Sequence, residues 1–434
     1  MFGTHNALSR RRFLTASAGL GAAALIGGCS NDTAADAGAD GEVGGELTVW
    51  TWADLFEETF KIFEEKNPGT TVNVEIFAGD EYATKLLSSL SAGAGPDVAM
   101  IEITNVANFK GKPGFVDLAA EPYDAGQFAD QYADFGWGYV LDDEGKVFAL
   151  PKNTGPAGMF YRRDIFEEVG LPTEPDQVNE AFKTWDDFLA EGAKVAIPDE
   201  RWLVDTPMAI VQAIIGQGGL SYFNEAGEPQ LNTPEMAEAV EYAKRAHDAG
   251  LISPFEIWSQ EWGATVQNGT VAAYLIGNWF GGNVKNLYGP DTAGLWGVTF
   301  PPASGGTSAF NSGGDFIGIL ETSQNKATAW EFIKFVTQDT DSLRPMYQEI
   351  DLYPAWQPAL EEDWMNQPDD FYAGQNVNEV FAAVSEEMKP PITNENDVDA
   401  RDTLTDAVNE VLRKGTDIQS ALDAVQERVA GRAG

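Results

Sequence analysis

Residues 47–101 switch hydrophobic period repeatedly, and that alternation constrains the fold more than any other stretch. Residues 47–51 are a short apolar and β-branched run. Asp54 then stands where a helix cap would, with Glu57 three residues on. Phe56, Phe60 and Phe63 follow at i, i+4 and i+7, the spacing of one helical face. Asn67-Pro68-Gly69 stops that helix. Val72, Val74 and Ile76 alternate with polar residues, as in a strand. Tyr82, Leu86, Leu87 and Leu90 mark a second helix, and 97–101 is a near-continuous apolar strand of the buried parallel kind. A β-α-β-α-β order implies right-handed crossovers and a parallel sheet. Ligands of such sheets sit beyond the carboxyl ends of the strands. Those ends are Trp52-Ala53-Asp54, Ala78-Gly79-Asp80-Glu81 and Glu102-Ile103-Thr104-Asn105, and they must share one rim. The rim offers one Trp, several carboxylates and amides, and no phosphate cradle.

Farther along, 185–195 and 235–249 have helical spacing, and 202–215 reads as a loop followed by a helix. Residues 269–278 are a β-like run leading into Trp279-Phe280-Gly281-Gly282. Residues 296–301 and 316–320 read as strands, and 327–336 as a helix with Trp330, Ile333 and Val336 on one face. The C-terminus carries two helical stripes, Leu404, Val408, Val411 and Leu412, then Ile418, Leu422 and Val425. The acid-rich segments 54–66, 361–370 and 386–402 also read as helices. There is no internal repeat.

Counts of a few residue types exclude whole classes of function. There are 68 Asp+Glu against 27 Lys+Arg, a formal net charge of -41. Such a polyanion repels nucleic acid and anionic lipid. The single Cys, Cys29, allows no intrachain disulfide. Two His, His5 and His247, cannot build a multi-His metal site. His247 falls in the polar register of its helix and reads as a solvated surface residue. The sequence calls for no metal and no cofactor.

The first thirty residues read as an address. Ser9-Arg10-Arg11-Arg12-Phe13-Leu14 is a positive n-region with a twin-arginine pattern, and 14–26 is apolar but too short to span a bilayer comfortably. It ends in Leu25-Ile26-Gly27-Gly28-Cys29, which resembles the bacterial lipobox, whose Cys is acylated after cleavage. Residues 1–28 are thus expected to be a signal peptide. Residues 29–45 are expected to be a lipidated Cys and a tether too poor in large apolar side chains to order itself. This places the function outside the cytoplasmic membrane.

Nine further segments, in order, carry a resemblance. They are LTVWTWAD, FEEKNPGTTVNVE, AGAGPDVAMI, VFALPKNTGPAGMFYRRDIFEEVGLP, TWDDFLAEGAKV, NGTVAAYLIGNWF, GGDFIGIL, KATAWEFIKFVT and YPAWQPAL. Together they resemble the extracellular solute-binding lipoproteins of ABC importers, in the sugar- and oligosaccharide-binding, maltose-binding-protein-like group. The resemblance covers nearly the whole chain after the tether. It implies an α/β fold of two lobes, each a sheet with flanking helices, joined by a hinge. Lobe 1 would comprise 46–152 plus 301–350, and lobe 2 would comprise 153–300 plus 351–434. The chain would cross near Pro151-Lys152, Pro301 and Leu352. Hinge closure would trap the ligand in the cleft for a permease whose ATPase lies in the cytoplasm. The protein would be a monomer, a binder rather than an enzyme, held to the membrane through Cys29.

A sugar needs aromatic planes for its C–H faces and fixed polar groups for its hydroxyls. Carboxylates suit the second task because each oxygen accepts more than one hydrogen bond. The resemblance implies Trp279 as the stacking platform of lobe 2, against the alternative of a core Trp under the loop. Trp52 and Asp54 lie at the first strand end, where Asp54 is equally a helix cap. Asp80 and Glu81 are candidates, with a solvated helix N-terminus as the alternative. Glu102 and Asn105 lie on the third loop. Asn153 and Thr154 fall at the end of the implied hinge strand. Gly313 and Gly314 would let backbone approach the ligand closely, with Asp315 facing the cleft. Tyr353 and Trp356 lie where the family often places another ring. Trp258 and Trp262 are four apart, so they share a helical face if that segment is helical, with core packing as the plainer reading and a place in the cleft as the alternative. Asp97 begins a strand and reads as structural.

Two rivals remain. An exported glycoside hydrolase would need a catalytic carboxylate pair, and no such spacing stands out. A cleft for a polyamine or another non-sugar solute would use carboxylates and cation–π contacts.

Overall fold

The computed structural model describes residues 41–53 and 57–433. The address segment, Cys29 and Asp54 lie outside the described residues. The expected first helix is seen as Glu57–Lys66, with Phe60 and Phe63 on its buried side.

Strand β1 (Gly45–Thr51) pairs in parallel with β2 (Thr70–Ile76) and with β3 (Val98–Glu102). The helix Gly79–Ser91 forms the second crossover. This is the β-α-β-α-β unit the periodicity required. The sheet continues through two longer strands, β4 (Leu150–Arg162) and β7 (Asn311–Ile319), with β5 (Ala273–Gly277) and β6 (Trp296–Thr299) beyond. The order is β2-β1-β3-β7-β4-β5, with β6 also on β4.

β4 joins the lobes. Its first half pairs with β7 as the edge of the lobe 1 sheet, from Leu150↔Ile317 to Pro156↔Asn311. Its second half is the centre of a lobe 2 sheet, between β5 (Ala157↔Gly277) and β6 (Met159↔Thr299). All thirteen of its residues are buried. The register slips between Pro151 and Asn153 and again between Thr154 and Pro156. A proline has no N–H to donate, so strand prolines and irregular register go together. The hinge is therefore an irregular stretch of strand.

The cores follow this division. Leu47, Val49, Val98, Ile101, Phe316, Ile317, Phe332 and Ile333 pack in lobe 1. In lobe 2 side chains alternate across the sheet, as strands require. Met159, Tyr161, Ala273 and Leu275 enter a core with the helices Trp185–Val195, Pro207–Gln217 and Pro234–Asp248. Phe160 and Tyr274 enter a second core, rich in rings, with Trp262, Phe280, Trp296 and Tyr372. Segments after 350 serve both lobes: Tyr353 and Phe381 lie in this aromatic core, Ala355 and Val384 in that of lobe 1.

Some local readings change. Residues 361–370 are not one helix; they hold short turns at Asp363–Asn366 and Asp370–Tyr372. Residues 386–402 divide between the end of the helix Asn378–Glu387, an irregular link with Pro390 and Pro391, and the start of Asp397–Lys414. Prolines inside the expected span explain the break. Trp258 lies outside the helix Gln260–Asn268, so the expected Trp258–Trp262 helical face does not form.

Candidate ligand-binding cleft

The rim of lobe 1 is built by strand register. Glu102 on β3 lies opposite Asp315 on β7, and Asp315 lies opposite Asn153 on β4. Directly opposed residues share a sheet face. Residues 102, 315 and 153, remote in sequence, therefore form one polar row. Asp315 is recessed, with 19% of its side chain exposed, and lies 3.9 Å from the Lys152 ammonium. Burial pushes the Asp315 carboxyl up to about 6; Lys152 opposes the rise and Glu102 adds to it. Burial likewise holds Lys152 below its ordinary value, with Asp315 countering. The buried oxygens Asn153 Oδ1, Thr154 Oγ1 and Asn278 Oδ1 have no hydrogen-bond partner among the described residues. Such groups call for a polar partner.

Other rim residues flank the row. Asn105 donates to Glu102 Oε2 at 3.3 Å. Trp52 follows β1, half-buried, its ring 5.4 Å from that of Tyr82. Tyr82 Oη lies between the carbonyls of Trp50 (3.0 Å) and Met100 (2.7 Å), tying the helix to the strand ends. Glu81 is exposed on the first turn of the helix Gly79–Ser91, and Asp80 lies on the same turn. Asp97 is structural, accepting from Thr48 N at 2.9 Å and Ser323 Oγ at 2.6 Å.

Lobe 2 reaches the hinge where β5 ends. Asn278 N donates to the Pro156 carbonyl at 3.0 Å, and Trp279 Nε1 donates to the Ser312 carbonyl at 2.6 Å. Gly277 has no room for a side chain: a Cβ there would lie 2.2 Å from Ser312 O. Gly313, at φ +111°, faces Trp279 Nε1 as closely. Gly314 follows at φ +132°, opposite Thr154. Here the glycines let β7 approach Trp279.

The expected ring pair at 353 and 356 is not free. Tyr353 is 1% exposed in the aromatic core, its carbonyl accepting from Thr154 N at 3.2 Å. Trp356 packs edge-on against Tyr132 at 5.0 Å and Phe128 at 6.2 Å. Core packing takes up Tyr353, whereas Trp356 stays partly exposed. His247 is exposed.

Three features escaped sequence reading. Trp258 is exposed and stacks on Trp279, ring centroids 5.8 Å apart and planes 30° apart. Ser259 accepts from Trp262 N as an N-cap, a signal that could have placed Trp258 outside the helix. Asp205 is buried and accepts from Trp262 Nε1 at 3.0 Å; burial pushes its carboxyl up to about 6. Lys285 bridges Asp351 (2.7 Å) and Asp369 (2.6 Å). Burial works against this ammonium, but the two carboxylates outweigh it and hold its pKa above the ordinary value. The pairing fixes the chain after 350 to the helical turns that follow Trp279.

A cavity of about 230 Å³ also lies between the lobes, with Tyr139, Ile215, Tyr222 and Asp397 in its wall. Tyr139 packs on Phe316 at 5.7 Å. Phe316 leaves β7 on the face opposite Asp315, and Ile103 and Thr104, which follow Glu102 on the third loop, also line the cavity. Among the described residues no group of three or more His, Cys, Asp or Glu is placed to hold a metal ion.

A two-lobed α/β body with a strand hinge and a polar, aromatic cleft defines a class of solute binders. The family described as bacterial extracellular solute-binding protein matches residues 58–372, and the chain belongs to it. It is 30% identical to the lactose-binding protein of Rhizobium radiobacter, over 96% of this chain and 97% of that one. It is 25% identical to the arabinooligosaccharide-binding protein of Halalkalibacterium halodurans, over 90% of each. An ABC-transporter-associated binding protein of B. animalis subsp. lactis, solved with β-1,6-galactobiose, superposes with a TM-score of 0.77. It is 25% identical and covers 90% of this chain and 98% of that one. No helix among the described residues is long and apolar enough to cross a membrane.

Proposed function

We propose that this chain captures a sugar or oligosaccharide between its lobes and delivers it to an ABC permease, anchored outside the cytoplasmic membrane through a lipid on Cys29. The observation that carries the reading is the polar row Glu102–Asp315–Asn153 on the same hinge as Trp279. Carboxylates and amides on rigid strands can hold hydroxyls, while an indole covers an apolar sugar face. Trp52, Asn105, Thr154 and Gly314 complete the proposed lining, with Glu81 on the outer rim; Asp54 and Asp80 are proposed from the sequence alone. The relatives supply the ligand class: their names specify lactose and arabino-oligosaccharides. The anchor rests on the lipobox-like 25–29 segment.

The test is thermal unfolding of the protein with lactose, arabinotriose, maltotriose, β-1,6-galactobiose and, as contrast, spermidine. A ligand of the folded state alone stabilises by RT ln(1+[L]/Kd), about 2.7 kcal/mol at a hundredfold excess over Kd. A rise in Tm with one saccharide is the expected result. A rise with spermidine alone would turn the cleft into an amine site. For the anchor, Cys29→Ser should abolish incorporation of labelled fatty acid and release the protein from cells; retained label would refute it.

A further inference from the structure

Trp258 is the one tryptophan among the large apolar side chains left exposed in the described residues, at 53%. Its backbone sits at φ +68°, a region that a bulky side chain rarely adopts. It has no helical reason to be there, since the helix begins after Ser259. Strain and exposure together at an aromatic residue point to use rather than to stability.

The neighbours show what the strain achieves. Trp258 lies 5.8 Å from Trp279, nearly parallel, and 4.9 Å from Trp262, tilted by 57°. Both partners are fixed by their own N–H groups, Trp279 on the Ser312 carbonyl and Trp262 on Asp205. Trp262 is fully buried, and Trp279 is partly covered by Trp258. Of the three rings Trp258 is the most exposed, and it is laid on a rigid aromatic backing.

Resting on the sugar reading above, we propose that Trp258 is a specificity-determining residue: its open face takes the apolar face of a further ligand ring, beyond the one that Trp279 covers. Trp279 touches β7 at Ser312, while Trp258 lies one aromatic layer farther out. A ligand that meets both the polar row and Trp258 must then be longer than one sugar ring. The substrate class is a di- or oligosaccharide.

The experiment is isothermal titration of wild type, Trp258→Gly, Trp258→Asn and Trp258→Phe with lactose, arabinotriose, maltotriose and β-1,6-galactobiose, and with galactose and arabinose. Gly and Asn both tolerate a positive φ, so two ringless variants keep the backbone. Their Tm without ligand should match or exceed that of wild type. The expected result is a loss of at least tenfold in affinity for the bound di- or oligosaccharide in both ringless variants, with Trp258→Phe within about threefold of wild type. Unchanged affinity in a folded ringless variant overturns the assignment of Trp258 and leaves the sugar reading standing. Tight binding of a monosaccharide with equal loss on ring removal overturns the length argument. No binding of any saccharide by wild type overturns the sugar reading and this inference with it.

Discussion

The two lobes bring different chemistry to the cleft. Lobe 1 presents strand ends: Glu102, Asp315 and Asn153 in a row, with Asn105 beside them. Lobe 2 presents rings: Trp258 on Trp279 and Trp262, with Phe280 and Trp296 behind. Lobe 1 packs Val98, Ile101, Ile317 and Ile319 together with rings such as Phe316 and Phe332 around its central strands, and its polar row lies at the strand ends. The sheet of lobe 2 separates two cores, and the aromatic one opens toward the hinge. Directional acceptors gain from fixed backbone register, which strands supply. Stacking gains from broad, immobile ring area, which a packed aromatic core supplies.

The sharpest way to break this contrast is to remove the aromatic support. Phe160 is fully buried and lies 5.3 Å from Phe280 and 5.9 Å from Phe381. Phe160→Ala should cost about 3–5 kcal/mol in denaturant unfolding. A loss under about 1 kcal/mol would mean that the ring cluster is not a second core. Lys285→Met strips the cation from Asp351 and Asp369 and leaves buried charge unpaired, an effect of about 3–5 kcal/mol. Adding Asp351→Asn and Asp369→Asn should recover much of that loss; if it does not, the charge pairing is not the cause.

Smaller effects test the polar side. Glu102→Gln keeps the shape but removes one carboxylate of the row. Saccharide affinity should fall about tenfold, in line with about 1.5–3 kcal/mol for a hydrogen bond to a charged group. Stability should hold or rise, because Glu102 raises the cost of ionising Asp315. Unchanged affinity would take Glu102 out of the site. The smallest effect is on pH. Burial raises the carboxyls of Asp205, Asp315 and Asp397 to about 6 from 3.8. Between those values the folded chain binds more protons than the unfolded one. Their contribution is thus present at low pH and lost as pH rises through about 6. Protonation also relieves the self-repulsion of a chain at -41. Tm in calorimetry should be higher at pH 5 than at pH 7; a lower value would contradict the burial of these carboxyls.

Much of lobe 1 was legible because its elements are local. Val72, Val74 and Ile76 alternate, Phe60 and Phe63 share a face, and Asn67-Pro68-Gly69 ends a helix, each within a few residues. Trp52, Glu102 and Asn105 follow from knowing which strand ends share a rim. The packing of Tyr353 and Trp356 was not legible, because their neighbours in space, the aromatic core and Tyr132, are remote in sequence. Trp258 was misread because a spacing of four suggests a helix, and the Ser259 cap lies between the two residues.

By itself the sequence determined most of the element types, the β-α-β-α-β order, the acidic charge, the lone Cys beside a lipobox-like run and the ordered segments that resemble the family. These depend on period, composition and local stops. Only the tertiary structure decided that residues 102, 153 and 315 form one row, that Lys285 finds partners 66 and 84 residues away, and that Trp258 turns its face outward. Period fixes which side of an element is apolar. Strand register and long-range packing fix what each side meets, and a cleft between two lobes is made of such meetings.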